Sequence, residues 1–413
     1  MIATLSKHRT NLKASLVLSG SKSESNRLLI LQALYPSITI DNLSTSDDTK
    51  VLQEALSSRK NVLDIHHAGT AMRFLTAYLS ATTQKEVVLT GSKRMQERPI
   101  GLLVNALRDL GAVIEYKRAE GYPPIKIAPA TLGNKVTIQA HVSSQYISAL
   151  LLIASQLEDG LTITLEGAIT SRPYIEMTLA LLHQIGVSSL FEGQHIQVMP
   201  CKKDLKKNIT VESDWSSVSY FYSCVALSKN ESVTLSNFKE NSLQGDAALV
   251  NLYEKLGVTT TRLNENTIVL SKNNETIECD IKVDLTHTPD IAQTLAITCF
   301  GLGVACELTG LHTLKIKETD RLLALQEELT KFSASVRVTN DTLILASHTI
   351  DFNNITDQIT IQTYQDHRMA MAFAPLANLV SFNIEDPMVV TKSYPNFYKD
   401  LEKIGIKTEF SES

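Results

Sequence analysis

Four segments of the chain share one pattern of apolar and polar positions. Each is an amphipathic helical stretch that runs into Leu-Gly or Ile-Gly and continues at once as a β-branched strand. They are Leu103–Tyr116 (LVNALRDLGAVIEY), Met177–Phe191 (MTLALLHQIGVSSLF), Leu249–Arg262 (LVNLYEKLGVTTTR) and Phe397–Phe410 (FYKDLEKIGIKTEF). The change of period predicts a helix followed by a strand, with the glycine as the left-handed stop between them. Two weaker copies complete the series. Val51–Ile65 lacks the glycine, and in Leu322–Val338 the triplet Thr330-Lys331-Phe332 takes its place. Six copies at spacings of roughly 55–75 residues, too long for common solenoid repeats, predict six α/β units. β-like runs at Glu86–Leu89, Lys135–Gln139, Leu161–Leu165, Ser232–Leu235, Thr267–Leu270 and Thr342–Leu345 lie between them. Two halves of three units follow, divided near Val211–Asp214, where a strand gives way to the helical run Ser216–Leu227. No Pro/Gly/Ser-rich linker marks the division.

The length of 413 residues agrees with two domains, because it exceeds what one core usually serves. A net charge of -5 and a pI near 6.1 exclude a broad basic face of the kind that nucleic acid requires. No run of about 18 apolar residues appears, so no transmembrane helix is predicted. The first twenty residues show no signal peptide, which predicts a cytoplasmic protein. Cys201, Cys224, Cys279, Cys299 and Cys306 are odd in number and form no CxxC pair, so they read as buried thiols rather than disulfides or a zinc site.

Against that acidic background, cations gather at a few strand or loop ends. Lys317-Glu318-Thr319-Asp320-Arg321 packs two cations and two carboxylates into one strand-to-helix junction, where free N–H groups favour anions. Lys317 and Arg321, four apart, would share a face if both were helical. Gly20-Ser21-Lys22-Ser23-Glu24-Ser25-Asn26-Arg27 reads as a turn opening the helix Leu28–Leu34, without P-loop spacing. Gly69 and Thr70 precede an apolar helix, and Arg98 stands beside Pro99 at a helix start. Ser143-Ser144-Gln145-Tyr146 and Ser171-Arg172-Pro173-Tyr174 are hydroxyl-rich turns that suit phosphate oxygens and plain helix capping equally. Asp290 follows a strand as an N-cap or a general base, Asp366-His367-Arg368 opens another helix, and Lys392 precedes the last one. The adjacent His66 and His67 do not share a face, so no metal site is expected there. Asp290, Glu318 and His367 are the ionisable groups placed for proton transfer. The cations from both halves suit small polyanionic substrates held between two domains.

In their order along the chain, GSKSESNR, AGTAMR, RMQERPIG, SSQY, SRPYIEMT, TPD, KIKETDR, YQDHRMAMAF and DPMVVTKSYPNF resemble the motifs of the EPSP synthase family, the enolpyruvyl transferases of the shikimate pathway. The resemblance covers essentially the whole chain. It implies two similar domains, each of three βαβαββ units in an inside-out α/β barrel, with the active site in the interdomain cleft. Residues 19–212 would form one domain and 1–18 plus 213–413 the other. It implies transfer of the enolpyruvyl group of phosphoenolpyruvate to the 5-hydroxyl of shikimate-3-phosphate, with no cofactor or metal, by a monomer.

Residue by residue, the resemblance assigns Lys22, Ser23, Arg27, Ser143, Ser144, Gln145, Ser171, Tyr174, Asp290 and Lys317 to shikimate-3-phosphate. It assigns Lys22, Gly69, Arg98, Gln145, Arg321, Arg368 and Lys392 to phosphoenolpyruvate. Asp290 and Glu318 correspond to the proton-transfer pair, with Lys22 as a further participant. The chain departs from the family pattern at Ser19, His67, Phe74 and Thr313. A transferase acting on UDP-N-acetylglucosamine shares the fold and the chemistry, but that family carries a reactive cysteine in its first half, and no Cys precedes Cys201. A catalytically silent anion binder is the reading from another class, and the two retained carboxylates argue against it.

Overall fold

The computed structural model describes residues 1–8, 13–141, 143–229, 232–273, 277–355 and 358–412. The chain divides into two compact units. One is continuous, Gly20–Val211, and the other joins Met1–Ser19 to Glu212–Ser413.

The recurring motif is most easily followed in Val62–Ala128. Strand Val62–Asp64 leads through helix Gly69–Thr82 to the parallel strand Val87–Thr90. Helix Gly101–Asp109 then leads to the antiparallel pair Val113–Tyr116 and Ile125–Ala128. The same βαβαββ order builds the sheet from Lys135–Gln139 to His195–Val198 and the sheet from Asp280–Asp284 to Leu343–Leu345. Two sheets of the discontinuous unit borrow a strand from the start of the chain. Ile2–Lys7 lies between Phe382–Glu385 and Ile406–Ser411, and Lys13–Val17 pairs in parallel with Ser232–Ser236. The remaining sheet of the continuous unit has only two strands, Ile38–Asp41 and Lys207–Thr210, in parallel. Helix Asp47–Ser57 passes almost directly into Val62–Asp64, which leaves no residues for a closing hairpin.

Two kinds of helix result. The second helix of each motif is one-sided, as in Gly101–Asp109, where Leu103, Val104, Ala106 and Leu107 are buried. These are the amphipathic copies visible in the sequence. The first helices are buried nearly all round: Ser144–Ala154, Ala292–Leu302 and His367–Phe373 present almost no face to water. The strands cover them outside, alternating as in Leu161–Glu166, where every second residue is buried.

The glycine stops hold. Gly186 ends Arg172–Ile185 at φ 99° and donates its N–H to His183 O. In the copy Leu322–Val338 the left-handed position is taken by Ser333, at φ 63°, just after the triplet Thr330-Lys331-Phe332. Cys224, Cys299 and Cys306 are buried, whereas Cys201 is half-buried and Cys279 exposed, so the reading of five buried thiols is corrected for those two. Among the described residues no helix is long and apolar enough to cross a membrane.

Candidate active site

In the continuous unit, Lys22, Gly69, Ser143 and Ser144 stand at the N-terminal ends of inner helices. Ser171 stands at the start of the outer helix Arg172–Ile185, and Arg98 in the loop before the outer helix Gly101–Asp109. The helix read as starting near Leu28 begins at Lys22, capped by Ser21 Oγ, so Lys22, Ser23 and Arg27 are helical rather than part of a turn. Ser25 and Asn26 are buried, Ser25 Oγ accepting from Ser44 N and Asn26 Oδ1 from Thr49 Oγ1, which hides this first turn from a search for apolar periodicity. Lys22 Nζ lies 3.7 Å from the buried Asp48.

Arg27, 2% exposed, is held on every side. Nε donates to Thr178 Oγ1 at 2.8 Å, Nη1 to Ser23 O at 2.8 Å, and Nη2 to Ser148 Oγ at 3.0 Å and Tyr174 O at 3.2 Å. The Phe74 ring lies 5.4 Å from its guanidinium carbon, so this departure from the family pattern serves as an apolar floor for a buried cation. Burial lowers its pKa to about 10, with the charge kept by Tyr174 and Glu24 nearby.

Gly69, the first residue of its helix, lies under Arg98. A Cβ there would sit 2.7 Å from Nη1 and 3.2 Å from Cζ of that arginine. The helix after Arg98 starts at Gly101 rather than at Pro99. Gln145 Nε2 reaches Thr70 Oγ1 at 3.4 Å, and Tyr146 OH donates to Pro99 O at 2.7 Å, so the three loops are tied together. Ser143 caps its helix by accepting from Gln145 N. Ser171 makes no such cap and sits in the left-handed region, φ 51°.

In the discontinuous unit, the segment Lys317–Arg321 differs from the sequence reading. A 3-10 turn, His312–Ile316, precedes it, Lys317 is not helical, and the helix starts at Arg321 with Asp320 as its cap. Lys317 and Arg321 therefore share no helix face; they meet by converging on Asp290 Oδ1, at 3.6 Å and 3.1 Å. Asp290 lies in the short turn Pro289–Ile291 and caps nothing with its side chain. Its other oxygen accepts from Arg368 Nη2 at 3.1 Å. Glu318 accepts from Arg321 Nη2 at 2.9 Å and from Lys392 Nζ at 2.5 Å. Asp366 caps the helix of Arg368 and takes Arg321 Nε at 2.6 Å.

Arg321, 2% exposed, thus touches three carboxylates. Desolvation opposes its charge, but those carboxylates raise its pKa above the ordinary value. Burial is the largest influence on Lys317 and lowers its pKa. Tyr220 OH stands 3.5 Å from Arg368 Nη1, a neutral phenol whose pKa burial pushes up to about 12.

Four buried or half-buried cations are interleaved with three carboxylates, an arrangement unlike a surface ion-pair ladder. Asp366, Tyr220, Ser148 and Thr178 were not read as supporting groups from the sequence. The one available signal was a hydroxyl set inside an apolar run, as at Ser148 in Tyr146–Ala154. Among the described residues no group of three or more His, Cys, Asp or Glu gathers as a metal site.

The fold is that of the enolpyruvyl transferases. Solved structures with the same course include an EPSP synthase from Acinetobacter baumannii, at TM-score 0.76, 21% identity and 100% of each chain. Another is the enolpyruvyl transferase NikO from Streptomyces tendae, at TM-score 0.73, 14% identity and 100% and 99% of the two chains. Sequence comparison is narrower. A 3-phosphoshikimate 1-carboxyvinyltransferase of Bacteroides fragilis is 45% identical over 98% of each chain, and one of Haemophilus influenzae is 35% identical over 94% and 96%. The model of EPSP synthase (3-phosphoshikimate 1-carboxyvinyltransferase) matches residues 52–401. The chain belongs to the EPSP synthase family.

Proposed function

We propose that this protein transfers the enolpyruvyl group of phosphoenolpyruvate to the 5-hydroxyl of shikimate-3-phosphate and releases phosphate. The observation that carries the reading is the placement of Asp290 and Glu318 inside one network of cations. A silent anion binder gains nothing from carboxylates there. A transferase for UDP-N-acetylglucosamine is disfavoured because no cysteine precedes Cys201.

Shikimate-3-phosphate is assigned to Lys22, Ser23, Arg27, Ser143, Ser144, Gln145, Ser171, Tyr174, Asp290 and Lys317. Arg27 supports that substrate mainly by fixing Ser23, Ser148 and Tyr174, since four of its contacts are already internal. Phosphoenolpyruvate is assigned to Lys22, Gly69, Arg98, Gln145, Arg321, Arg368 and Lys392.

The 5-hydroxyl attacks C2 of phosphoenolpyruvate and gives up its proton while C3 is protonated; C3 then returns a proton as phosphate leaves the tetrahedral intermediate, which restores the double bond without a covalent bond to the enzyme. Glu318 is the acid toward C3, Asp290 the partner of the hydroxyl proton, and Lys22 a further participant. Substrate anions compete for Arg321, Arg368 and Lys392, so binding releases both carboxylates from their counter-cations for proton transfer. The protein is read as a cytoplasmic monomer that needs no organic cofactor or metal. The deciding experiment is phosphate release with purified shikimate-3-phosphate and phosphoenolpyruvate, beside UDP-N-acetylglucosamine as the alternative acceptor. Turnover with the latter alone, or with neither, rejects the reading.

A further inference from the structure

The turn that leads into Asp366 is strained. Asp366 N donates to Thr363 O at 2.8 Å, and the two residues enclosed by this bond, Tyr364 and Gln365, are both left-handed, at φ 52° and 56°. Such a pair favours glycine or asparagine, because a Cβ crowds the backbone there. Two residues with long side chains keep that conformation only where their surroundings impose it.

The hold on this turn comes from a carboxylate outside the site. Glu328, fully buried, lies in helix Arg321–Thr330. Its Oε1 accepts from Tyr364 OH at 2.7 Å and its Oε2 from Gln362 N at 3.1 Å, so it grips the turn itself and the backbone just before it. Lys331 Nζ bonds Glu328 Oε2 at 2.6 Å and Thr360 O at 2.9 Å. Tyr364 OH also lies 2.7 Å from Glu327 Oε2. Burial, and after it the two carboxylates, raise the pKa of Tyr364, so its hydroxyl remains a donor.

The turn passes directly into the cation network. Asp366 accepts from Arg321 Nε at 2.6 Å and Nη2 at 3.3 Å, and from Arg368 N at 2.9 Å. Arg321 and Glu328 stand two turns apart along one side of the same helix. One rod therefore carries a cation of the site at its start and the anchor of the turn near its end, and the turn returns Asp366 to that cation. All of these residues belong to the discontinuous unit.

We propose that Glu328, acting through Tyr364, is a positioning residue for phosphoenolpyruvate binding: it holds the left-handed turn that sets Asp366, and Asp366 sets the Arg321 guanidinium and the helix start that carries Arg368. Without the anchor, Tyr364 and Gln365 relax to the backbone regions that residues with a Cβ prefer. Asp366 then shifts from Arg321, and two cations assigned to one anion lose their spacing. The inference rests on the assignment of Arg321 and Arg368 to phosphoenolpyruvate.

The test is the KM of each substrate, beside a thermal melt, in the wild type, Tyr364→Phe, Glu328→Gln and Arg368→Lys. Tyr364→Phe removes one hydroxyl and should raise KM for phosphoenolpyruvate about five- to tenfold, part of what a hydrogen bond to a charged group contributes, with KM for shikimate-3-phosphate within about twofold of the wild type. Glu328→Gln offers one oxygen where two accept, so it should raise the same KM further. A wild-type KM for phosphoenolpyruvate in Tyr364→Phe, with or without a lowered Tm, makes Glu328 a structural brace only and overturns the proposal. A parallel rise in both KM values marks general loosening and overturns it too. If Glu328→Gln does not fold, Tyr364→Phe decides alone. Arg368→Lys separates the two levels. A raised KM for phosphoenolpyruvate there, beside a silent Tyr364→Phe, overturns this inference and leaves the assignment standing. An unaffected KM in Arg368→Lys rejects the assignment together with the inference.

Discussion

Replacing Gly69 with alanine tests the phosphoenolpyruvate assignment with little risk to the fold. The new methyl would stand 2.7 Å from Arg98 Nη1, 3.2 Å from Cζ and 3.3 Å from Nη2, where ordinary contact begins at 3.4 Å. The guanidinium must therefore withdraw by the difference between 3.4 and 2.7, about 0.7 Å. It can do so, being the far end of a flexible side chain. Gly69 is also the first residue of a helix, where alanine is preferred by up to about 1 kcal/mol, so Tm should hold or rise slightly. The loss falls on function. A hydrogen bond to a charged group contributes about 1.5–3 kcal/mol, and a displacement of this size forfeits roughly half of one or more. KM for phosphoenolpyruvate should rise about 5–30-fold, with the KM for shikimate-3-phosphate nearly unchanged. Steady-state kinetics with each substrate varied in turn, beside a thermal melt, give the answer. A KM for phosphoenolpyruvate within twofold of the wild type, in a variant of normal Tm, would refute the reasoning.

Three other outcomes are expected. Glu318→Gln should lower kcat by about 10²–10⁴, the span of general acid–base catalysis, and near-normal turnover removes Glu318 from its role. Activity should survive exhaustive dialysis against EDTA, because arginine and lysine clamps neutralise the phosphates; recovery that depends on one divalent metal would contradict this. Ser333→Gly, at a left-handed position, should raise stability by about 0.5–1 kcal/mol in urea unfolding, and a lowered midpoint would mean that Ser333 makes compensating contacts.

The sequence discloses the outer layer of this fold better than its inner one. The second helix of each motif buries one face, so its period and its glycine stop are written in the residues, as in Met177–Phe191. The first helices are enclosed, and an enclosed helix carries no polar face to set a period: Ser144–Ala154 and Ala292–Leu302 read simply as apolar runs. Where an enclosed helix begins with buried polar residues, as Lys22–Leu34 does at Ser25, Asn26 and Arg27, the same segment reads as a turn. The charged members of the site were visible because cations are conspicuous against an acidic chain. Their partners were not. That Lys317 and Arg321 converge on Asp290 depends on tertiary placement of segments far apart in sequence.

The strand Ile2–Lys7 lies in the interior of its sheet, with Ile2 opposite Ser411 on one side and Glu385 on the other. During synthesis, the continuous unit has all its strands once residue 211 has emerged, whereas the other waits for a segment made some four hundred residues after its first strand. Its closure therefore comes last and carries the large loop entropy of distant pairing. The adjacency of residues 2 and 411 also offers a way around that delay. Joining the ends through a short linker and reopening the chain between Val211 and Glu212 gives a circular permutant in which each unit is one uninterrupted stretch.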